Sequence, residues 1–428
     1  MGVSMNIIDS FLLRYAKEYD FYHELAYHVA STCESVINRN GIRAIVTYRA
    51  KKPDSLREKL IKRNSFREYE SIDQIYKDIV DLAGVRIAIY FPGDREEIGK
   101  LIEAEFLTEK TKSFPNAEPK SSIHSLFKKR FAGYDAIHYR VRIKEERLEE
   151  NQKRFSHAQV EIQIASALMH AWAEVEHDLA YKPQIGSISE DEFNILDELN
   201  GMVLSGEIAL ERLQKAFKYR ISTMEHQFNN HYELAALIRQ KAYGNLQKDQ
   251  YMGRADILFR FLQKVNMDTP KAISPYLIRL NENSGNEYKA MVDRFVDMML
   301  SERPELYKQY LEAKYEVNTH NPYIPLAKDV HLYEEYKTLS DFIDGWVELR
   351  QTVNEATAAA SESIELKEQE LGEKIKGLIK SPTGNMEQEI KYLYNLRNHI
   401  LFGSDIPDQD VLVSARKIID KINNELIE

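Results

Sequence analysis

Hydrophobic and polar positions predict four strands in the first half of the chain. Runs rich in β-branched and aromatic residues occur at residues 42–48, 85–91, 138–143 and 160–164. Apolar residues at helical spacing precede and separate these runs, at residues 1–40, 54–62, 75–80 and 96–106. Residues 108–125 contain Pro, Ser, Asn and Lys and are predicted to form a loop. The first half is therefore predicted to be an α/β or α+β domain.

After residue 186 the spacing of apolar residues is helical almost throughout, so the second half is predicted to be all-α. Breaks are predicted at residues 268–275, 321–325, 381–385 and 406–407. One segment, Leu396–Gly403, resembles the R-N-x3-H helix of HEPN-type ribonucleases. Phe402 occupies the histidine position of that motif, so we interpret the segment as an ordinary helix end closed by Gly403.

The stretch from residue 160 to 182 combines a strand with a helix. Val160, Ile162 and Ile164 alternate with Glu161 and Gln163, which places the carboxylate and the amide on one face of the strand. The helix that follows at once has an apolar stripe on one side and a polar stripe on another. This combination predicts one wall of an active site.

The polar stripe of that helix consists of His170, Glu174 and His177. Imidazole and carboxylate groups are zinc ligands, so a zinc site is one interpretation. The preferred interpretation is a hydrogen-bonded network that braces the Glu161 strand.

Composition indicates an ordinary folded protein rather than a fibrous or disordered one, because 43% of the 428 residues are hydrophobic and 29% are charged. One cysteine cannot form an internal disulfide, which favours a reducing, cytoplasmic location. No membrane span and no secretory signal are predicted. Up to residue 186 there are 29 Lys and Arg against 28 Asp and Glu, whereas the remainder has 29 against 40. Any contact with phosphates is therefore expected in the first half.

A first polar cluster combines cations with the start of a predicted helix. Arg49, Lys51, Ser55 and Lys59 surround a Pro53 that opens the helix, with Asp54 or Ser55 expected as its cap. Helix N-termini and nearby cations attract anions, so this segment suits a polyphosphate. A run of solvated surface charges is the alternative.

Two more clusters contain residue types suited to nucleotides. Asp81 precedes a predicted strand that contains Arg86, so the pair suits Mg²⁺ and a nucleotide base. Taken alone, an acidic helix end and a surface arginine are the favoured alternative. Arg130 and Tyr134 precede the strand of His138. Tyr134 suits base stacking, and an ordinary turn tyrosine is the equally favoured alternative. Arg140 and Arg142 are predicted to share a strand face with His138. The chain lacks G-x-x-x-x-G-K-[ST], which excludes an ordinary P-loop as the nucleotide site.

In order and spacing, these clusters and the Glu161 strand resemble the RelA/SpoT-type nucleotide pyrophosphokinase, or alarmone synthetase, over roughly residues 40–185. The resemblance implies an α+β, mixed-sheet, nucleotidyltransferase-like domain flanked by helices and followed by the all-α region. It also implies that ATP donates its β,γ-pyrophosphate to the 3′-hydroxyl of GDP or GTP, giving (p)ppGpp.

The same resemblance assigns roles by position. The expected ATP-binding residues are Arg49 and Arg86 around the adenine, with Lys51, Ser55 and Lys59 on the phosphates. The expected catalytic residues are Asp81, Glu161 and Gln163. Asp81 and Glu161 would also hold Mg²⁺, and Glu161 would activate the attacking hydroxyl. The expected acceptor-binding residues are Arg130, Tyr134 and His138.

The chain departs from the family pattern on the acceptor side. Arg130, Ala132 and Ala136 stand where the family often has Lys, Asn and Ser. A toxin-type synthetase that pyrophosphorylates the tRNA 3′ end or adenine nucleotides is therefore the alternative. A non-catalytic protein on a decayed synthetase fold is a third hypothesis, which the presence of Asp81 and Glu161 disfavours.

The predicted domains are a helical lead-in at 1–40, the synthetase domain at 41–225 and an all-α regulatory or sensing region at 226–428. The last region is expected to restrain the synthetase, to sense a protein trigger such as a phage component, or to act as a fused neutraliser. A homo-oligomer is a further expectation, since small synthetases of this family often assemble.

Overall fold

The computed structural model describes residues 6–115, 131, 133–177, 179, 189–223, 226–242, 252–282, 289–319, 332–359, 375, 377–378, 385–403 and 405–427. The chain divides into two compact units, Met1–Arg220 and Ile221–Glu428.

The first unit begins with a long helix, α1 (Ile7–Arg39), which is capped by the Asn6 side chain. The remaining elements of this unit are β1 (Ala44–Ala50), α2 (Pro53–Arg67), α3 (Ile72–Asp78), β2 (Ala83–Ile89), α4 (Arg95–Glu105), β3 (Phe106–Phe114), β4 (Ala136–Ile143), β5 (Val160–Ser166), α5 (Ala167–Glu176) and α6 (Glu190–Ser222).

The five strands form one mixed sheet in the order β1-β2-β5-β4-β3. Strands β2 and β5 run parallel, and the other neighbours run antiparallel. The predicted α+β domain with a mixed sheet and flanking helices is confirmed, as is the all-α region that follows it.

The two faces of the sheet differ in polarity. Every second residue of β2 and β5 is fully buried against α1 and α4, because the period of a strand is two. Between them, Gly84, Arg86, Glu161 and Gln163 lie on the opposite face and are half-buried. One face is therefore the hydrophobic core, and the other carries the polar side chains.

Strand β3 corrects the sequence interpretation, which assigned residues 108–125 to a loop. Residues 106–114 are a strand that pairs along β4, with a bulge between Thr108 and Lys110. The strand lies at the edge of the sheet and most of its side chains are exposed, so it lacks the apolar run on which the prediction relied. The rest of the predicted loop, residues 116–125, lies outside the described residues.

The second unit is helical throughout its described part. Its helices are α7 (His231–Ala242), α8 (Ala255–Lys264), α9 (Pro270–Glu282), α10 (Met291–Glu302), α11 (Tyr307–Thr319), α12 (Leu332–Ala359), α13 (Met386–Phe402) and α14 (Gln409–Ile427). In the described part of the chain, no helix combines the length and apolarity needed to cross a membrane.

Helix α9 corrects the predicted break at residues 268–275. The break ends at Thr269, and Pro275 lies inside the helix. Ile273, Leu277 and Leu280 are buried on one side of α9, and burial of this stripe outweighs the hydrogen bond that Pro275 cannot donate.

The segment that resembles an R-N-x3-H helix is structural. Arg397 is fully buried, donates from Nε to the Tyr307 hydroxyl at 2.9 Å, and forms an ion pair with Asp297. Trp346 Nε1 donates to the same hydroxyl at 2.9 Å. Arg397 therefore links three helices of the unit from inside its core.

Candidate active site

The polar face of the sheet aligns the predicted site residues in two adjacent rows. In the first row, strand pairing places Arg49, Gly84, Glu161, Arg140 and Lys110 side by side across all five strands. Neighbouring strands lie about 4.8 Å apart, so Arg49 and Arg140 are both within two strand spacings of Glu161.

The second row lies two residues further along each strand. It consists of Thr47, Arg86, Gln163, His138 and Lys112. Because side chains alternate along a strand, both rows face the same side of the sheet. A recess at the β1 side of these rows is lined by Thr47, Tyr48, Arg49, Lys51, Asp81, Gly84, Val85, Arg86, Glu161 and Gln163.

Asp81 is held between two lysines at the edge of this recess. Lys51 Nζ and Lys59 Nζ each donate to its carboxylate at 2.7 Å, and less than a third of each side chain is exposed. Burial acts to raise the pKa of Asp81, but the charges and hydrogen bonds of Lys51 and Lys59 outweigh it and hold this pKa well below its usual range. Burial lowers the pKa of Lys59, and the charge of Lys51 acts in the same direction.

Local structure explains why these three residues meet. Lys51 directly follows β1, Lys59 lies in the second turn of α2, and Asp81 lies just before β2. The Lys51 N–H donates to the Leu82 carbonyl at 2.9 Å, and the Tyr15 hydroxyl of α1 donates to the Lys51 carbonyl at 2.7 Å. The backbone of the loop is therefore fixed from two sides.

Ser55 lies in the first turn of α2, on the same element as Lys59. The predicted cap is wrong: α2 begins at Pro53, and its N-cap is Lys52, which makes no side-chain cap bond. Proline suits the first helical position because its fixed φ is helical and its missing N–H would have no partner there, which leaves the residue before it as the cap.

Glu161 is flanked by two side chains of the second row. His138 Nδ1 lies 3.7 Å from its Oε1, and Gln163 Nε2 donates to its Oε2 at 3.0 Å. Burial and the charge of Asp81 act to raise the pKa of Glu161, but hydrogen bonding and charge from His138, together with Gln163, lower it overall. Glu161 is therefore ionised at neutral pH and able to bind a cation or accept a proton.

The two carboxylates suit a magnesium ion. Within the described ranges, no group of three or more His, Cys, Asp or Glu side chains is arranged to hold a metal. Asp81 and Glu161 are near enough to interact electrostatically across the recess. Mg²⁺ commonly uses one or two carboxylates and completes its shell with water and substrate phosphates, so this pair fits the ion.

Arg86 is anchored by the helix that follows β5. It forms an ion pair with Glu174, and His170 Nε2 lies 3.3 Å from the Ile87 carbonyl. Burial, followed by the charges of Arg86 and His138, lowers the pKa of His170 to about 4, so its ring is neutral at pH 7. The polar stripe was predicted to brace the Glu161 strand, but these contacts of His170 and Glu174 reach the neighbouring strand β2.

The acceptor side is centred on Tyr134. Gly133 before it has φ of 80°, a conformation that favours glycine. The Tyr134 hydroxyl lies 3.4 Å from His138 Nε2, and its ring centroid lies 5.9 Å from that of Phe114. Burial raises the pKa of Tyr134 to about 12. Arg130, the other predicted acceptor residue, lies outside the described residues.

A comparison with protein families identifies the domain. Residues 48–186 match the family model described as "Region found in RelA / SpoT proteins". The chain contains a RelA/SpoT region. This match supports a nucleotide pyrophosphokinase that makes (p)ppGpp-type alarmones as the class of activity.

Three solved structures illustrate the similarity of this chain to alarmone synthetases and a pyrophosphokinase. The small alarmone synthetase 1 from Bacillus subtilis is 22% identical over 49% of this chain and 97% of its own, with a TM-score of 0.36. A GTP pyrophosphokinase family protein from Streptococcus pneumoniae is 20% identical over 54% and 98%, with a TM-score of 0.37. The Bacillus subtilis synthetase bound to pppGpp is 24% identical over 48% and 96%, with a TM-score of 0.34. No curated protein matches the sequence.

The sequence did not predict several residues that lie near the candidate site. Lys110, Lys112 and Phe114 share the polar face because β3 pairs with β4. Their alternation within residues 106–114 is the signal that identifies this strand. Tyr15 belongs to the apolar positions at helical spacing in residues 1–40, and no sequence pattern indicates its bond to the Lys51 carbonyl.

Proposed function

We propose that the chain is an ATP-dependent nucleotide pyrophosphokinase that transfers the β,γ-pyrophosphate of ATP to the 3′-hydroxyl of GDP or GTP. The observation that carries this proposal is the recess that brings the Lys51–Asp81–Lys59 cluster next to Glu161. Cations for a polyphosphate, two carboxylates for one metal and a base for the nucleophile then meet in a single place, which is what phosphoryl-type transfer needs.

ATP would bind on the β1 side of the recess. Arg49 and Arg86 are diagonal neighbours on paired strands, with Cα atoms about 7–8 Å apart, a separation that suits a base held between two guanidinium groups. Lys51 and Lys59 now share one carboxylate and would exchange it for phosphate oxygens, with Ser55 alongside. Arginine and lysine bonds to anions are strong in such half-buried positions.

The transfer step needs no covalent intermediate. The acceptor 3′-oxygen attacks the β-phosphorus, the bond from that phosphorus to the α,β-bridging oxygen breaks, and AMP leaves with that oxygen. The hydroxyl proton passes to Glu161, which His138 and Gln163 hold in position. Bound phosphates would raise the pKa of Glu161 through like-charge repulsion and so strengthen it as a base. Mg²⁺ held by Asp81 and Glu161 would neutralise charge on the phosphates.

The base of the acceptor would stack on Tyr134, on the β4 side of Glu161. A second acceptor class is supported by Ala136, which stands at the family's serine position. The methyl side chain of Ala136 offers no hydroxyl to a guanine nucleotide, and it is fully buried in an apolar cluster with Ala165, Met169 and Trp172. The tRNA 3′ end and adenine nucleotides are therefore tested beside GDP and GTP.

One experiment tests the activity and identifies the acceptor. The purified full chain is incubated with Mg²⁺ and ATP labelled at the γ-phosphate, and GDP, GTP, ADP, ATP or bulk tRNA is offered in turn. Label on GDP or GTP with equimolar AMP supports the proposal, and label on tRNA or an adenine nucleotide supports the toxin-type alternative. No labelled product with any acceptor, in the full chain and in a chain with a destabilised helical unit, contradicts both.

The helical unit is proposed to restrain or regulate the transferase. Two observations support a separate role: it is a compact unit of its own, and the second half of the chain carries the excess of acidic residues. A protein trigger, self-inhibition and assembly with a second copy are the forms of regulation that the proposal includes.

A further inference from the structure

Arg140 lies on the polar face of the sheet and has no role in the proposed transfer reaction. It lies on β4 in the first row, directly opposite Glu161 on one side and Lys110 on the other. Its Nε is buried and has no hydrogen-bond partner. In the described part of the chain, no carboxylate lies within ion-pair distance of its guanidinium group.

Three other arginines around the site have carboxylate partners. Arg86 pairs with Glu174, Arg95 pairs with Asp135, and Arg142, two residues beyond Arg140 on the same face, pairs with Glu109. Glu161 lies directly opposite Arg140 on β5, but its oxygens are occupied by His138 and Gln163. The Nε atoms of Arg95 and Arg142 are also buried without a partner, so the missing ion pair is what distinguishes Arg140. A half-buried guanidinium without a counter-charge is unfavourable unless an anion completes it.

The position of Arg140 indicates which anion would pair with it. The Lys51 and Lys59 side chains lie on the β1 and β2 side of Glu161, where the donor phosphates would bind. Arg140 lies on the opposite side, on the strand that also carries His138 and follows Tyr134. A nucleoside with its base at Tyr134 and its 3′-hydroxyl at Glu161 still has its 5′ side to place. Arg140 and Lys110 are the cations on that side of the first row.

We propose that Arg140, with Lys110 beside it, binds the phosphate on the 5′-oxygen of the acceptor nucleoside. This inference rests on the proposed function and names a subsite for it. The shared chemistry is a 5′-phosphate, which has two sources: the polyphosphate of a free nucleotide, or the phosphodiester that precedes the last nucleoside of an RNA 3′ end. Arginine suits both because its planar donors match phosphate oxygens.

The test combines a protein change with a ligand change. The full-length Arg140→Gln variant is compared with the wild type using GDP and guanosine as acceptors, and CpCpA and adenosine form the RNA arm. Losing a charge-assisted contact should raise the acceptor KM or Kd by about 10- to 100-fold for the ligands that carry the 5′-phosphate. The nucleosides guanosine and adenosine should change by less than about 2-fold, and the KM for ATP should not change. Arg140→Lys keeps the positive charge, so it should raise the acceptor KM less than Arg140→Gln does.

The matched control is Arg142→Gln, which removes an arginine from the same strand and face but one that has its own carboxylate partner. It should leave the acceptor KM within about 2-fold, and thermal melting should show that both variants fold. An equal effect on GDP and guanosine, or no effect on either 5′-phosphorylated ligand, overturns the inference. A phosphate effect in the CpCpA arm alone assigns the site to RNA, and one in the GDP arm alone assigns it to free nucleotides.

A binding measurement distinguishes failure of the proposed function from failure of this inference. If the wild type transfers pyrophosphate to no acceptor, calorimetric titration without ATP still compares GDP with guanosine and CpCpA with adenosine. A loss of affinity in Arg140→Gln that is confined to the 5′-phosphorylated ligands supports the subsite even then. Equal binding by the wild type and the variant rejects it.

Discussion

At the scale of single residues, the donor side of the site is organised by charged groups that already have partners. Asp81 is bound by two lysines, Glu161 by His138 and Gln163, and Arg86 by Glu174. In our proposal, substrate binding on this side exchanges existing partners for new ones rather than ordering free side chains. Such preorganisation reduces the entropy lost when the phosphates bind.

Substitution of Asp81 should lower both the stability of the fold and the rate of pyrophosphate transfer, and a matched control should lower stability alone. Asp81→Asn removes the counter-charge of Lys51 and Lys59, so we expect a loss of about 1–3 kcal/mol in the free energy of unfolding and at least 100-fold in transfer. The control is Asp78→Asn, which removes a carboxylate paired with Arg63 and Tyr69. It should lose similar stability but keep transfer within about 3-fold. Transfer retained by Asp81→Asn would refute the role given to Asp81.

Stability should depend on pH through His170. Its pKa falls to about 4 in the folded chain, whereas an unfolded histidine titrates near pH 6.5, so the unfolded state binds more protons between these values. The stabilising effect is complete above about pH 6.5 and is lost as the pH falls toward 4, by up to about 2–3 kcal/mol.

Denaturant unfolding at pH 7.5 and pH 5.0 measures this dependence. The wild type should lose more stability between the two pH values than His170→Gln, which cannot titrate. His157→Gln, which alters an exposed histidine, serves as the control and should behave like the wild type. An identical pH dependence in the wild type and His170→Gln would show that this histidine is not the source.

At the scale of elements, the sequence predicted the strands that have apolar runs and failed where tertiary context decides. The β5 alternation placed Glu161 and Gln163 on one face, as the structure shows. Strand β3 was missed because its stability comes from pairing with β4 rather than from burial, and α9 was cut short because Pro275 suggested a break. The exchange of partners around Asp81 and the unmatched Arg140 depend on strand register and helix packing, which no single segment encodes.

Helix α1 has an effect on the site that only the structure reveals. Its Tyr15 is fully buried and donates to the Lys51 carbonyl, so it fixes the loop that carries Lys51. We expect Tyr15→Phe to lose about 1 kcal/mol of stability and to raise the KM for ATP more than it lowers kcat. Tyr19→Phe, on the same helix and packed edge-on against Tyr15 at 6.1 Å, is the matched control and should leave both constants unchanged. A change confined to stability would limit Tyr15 to a structural role.

At the scale of the whole molecule, two compact units divide the chain near residue 220. We propose that function is divided between a synthetase domain at residues 41–225 and a regulatory region at residues 226–428. A core built around Trp346, Tyr307 and Arg397 lies wholly within the second unit. The second unit can therefore be destabilised without touching a residue of the site.

Trp346→Ala should reveal whether the helical unit restrains transfer. Removing this fully buried ring should cost the second unit about 3–5 kcal/mol, while the first unit keeps its own core and its melting transition. If the folded helices restrain the synthetase, the rate of pyrophosphate transfer rises in the variant. Tyr392→Ala, an exposed position on α13, is the control and should match the wild type in both measurements. A lower rate in Trp346→Ala, with the first transition intact, would mean that the helices support transfer instead.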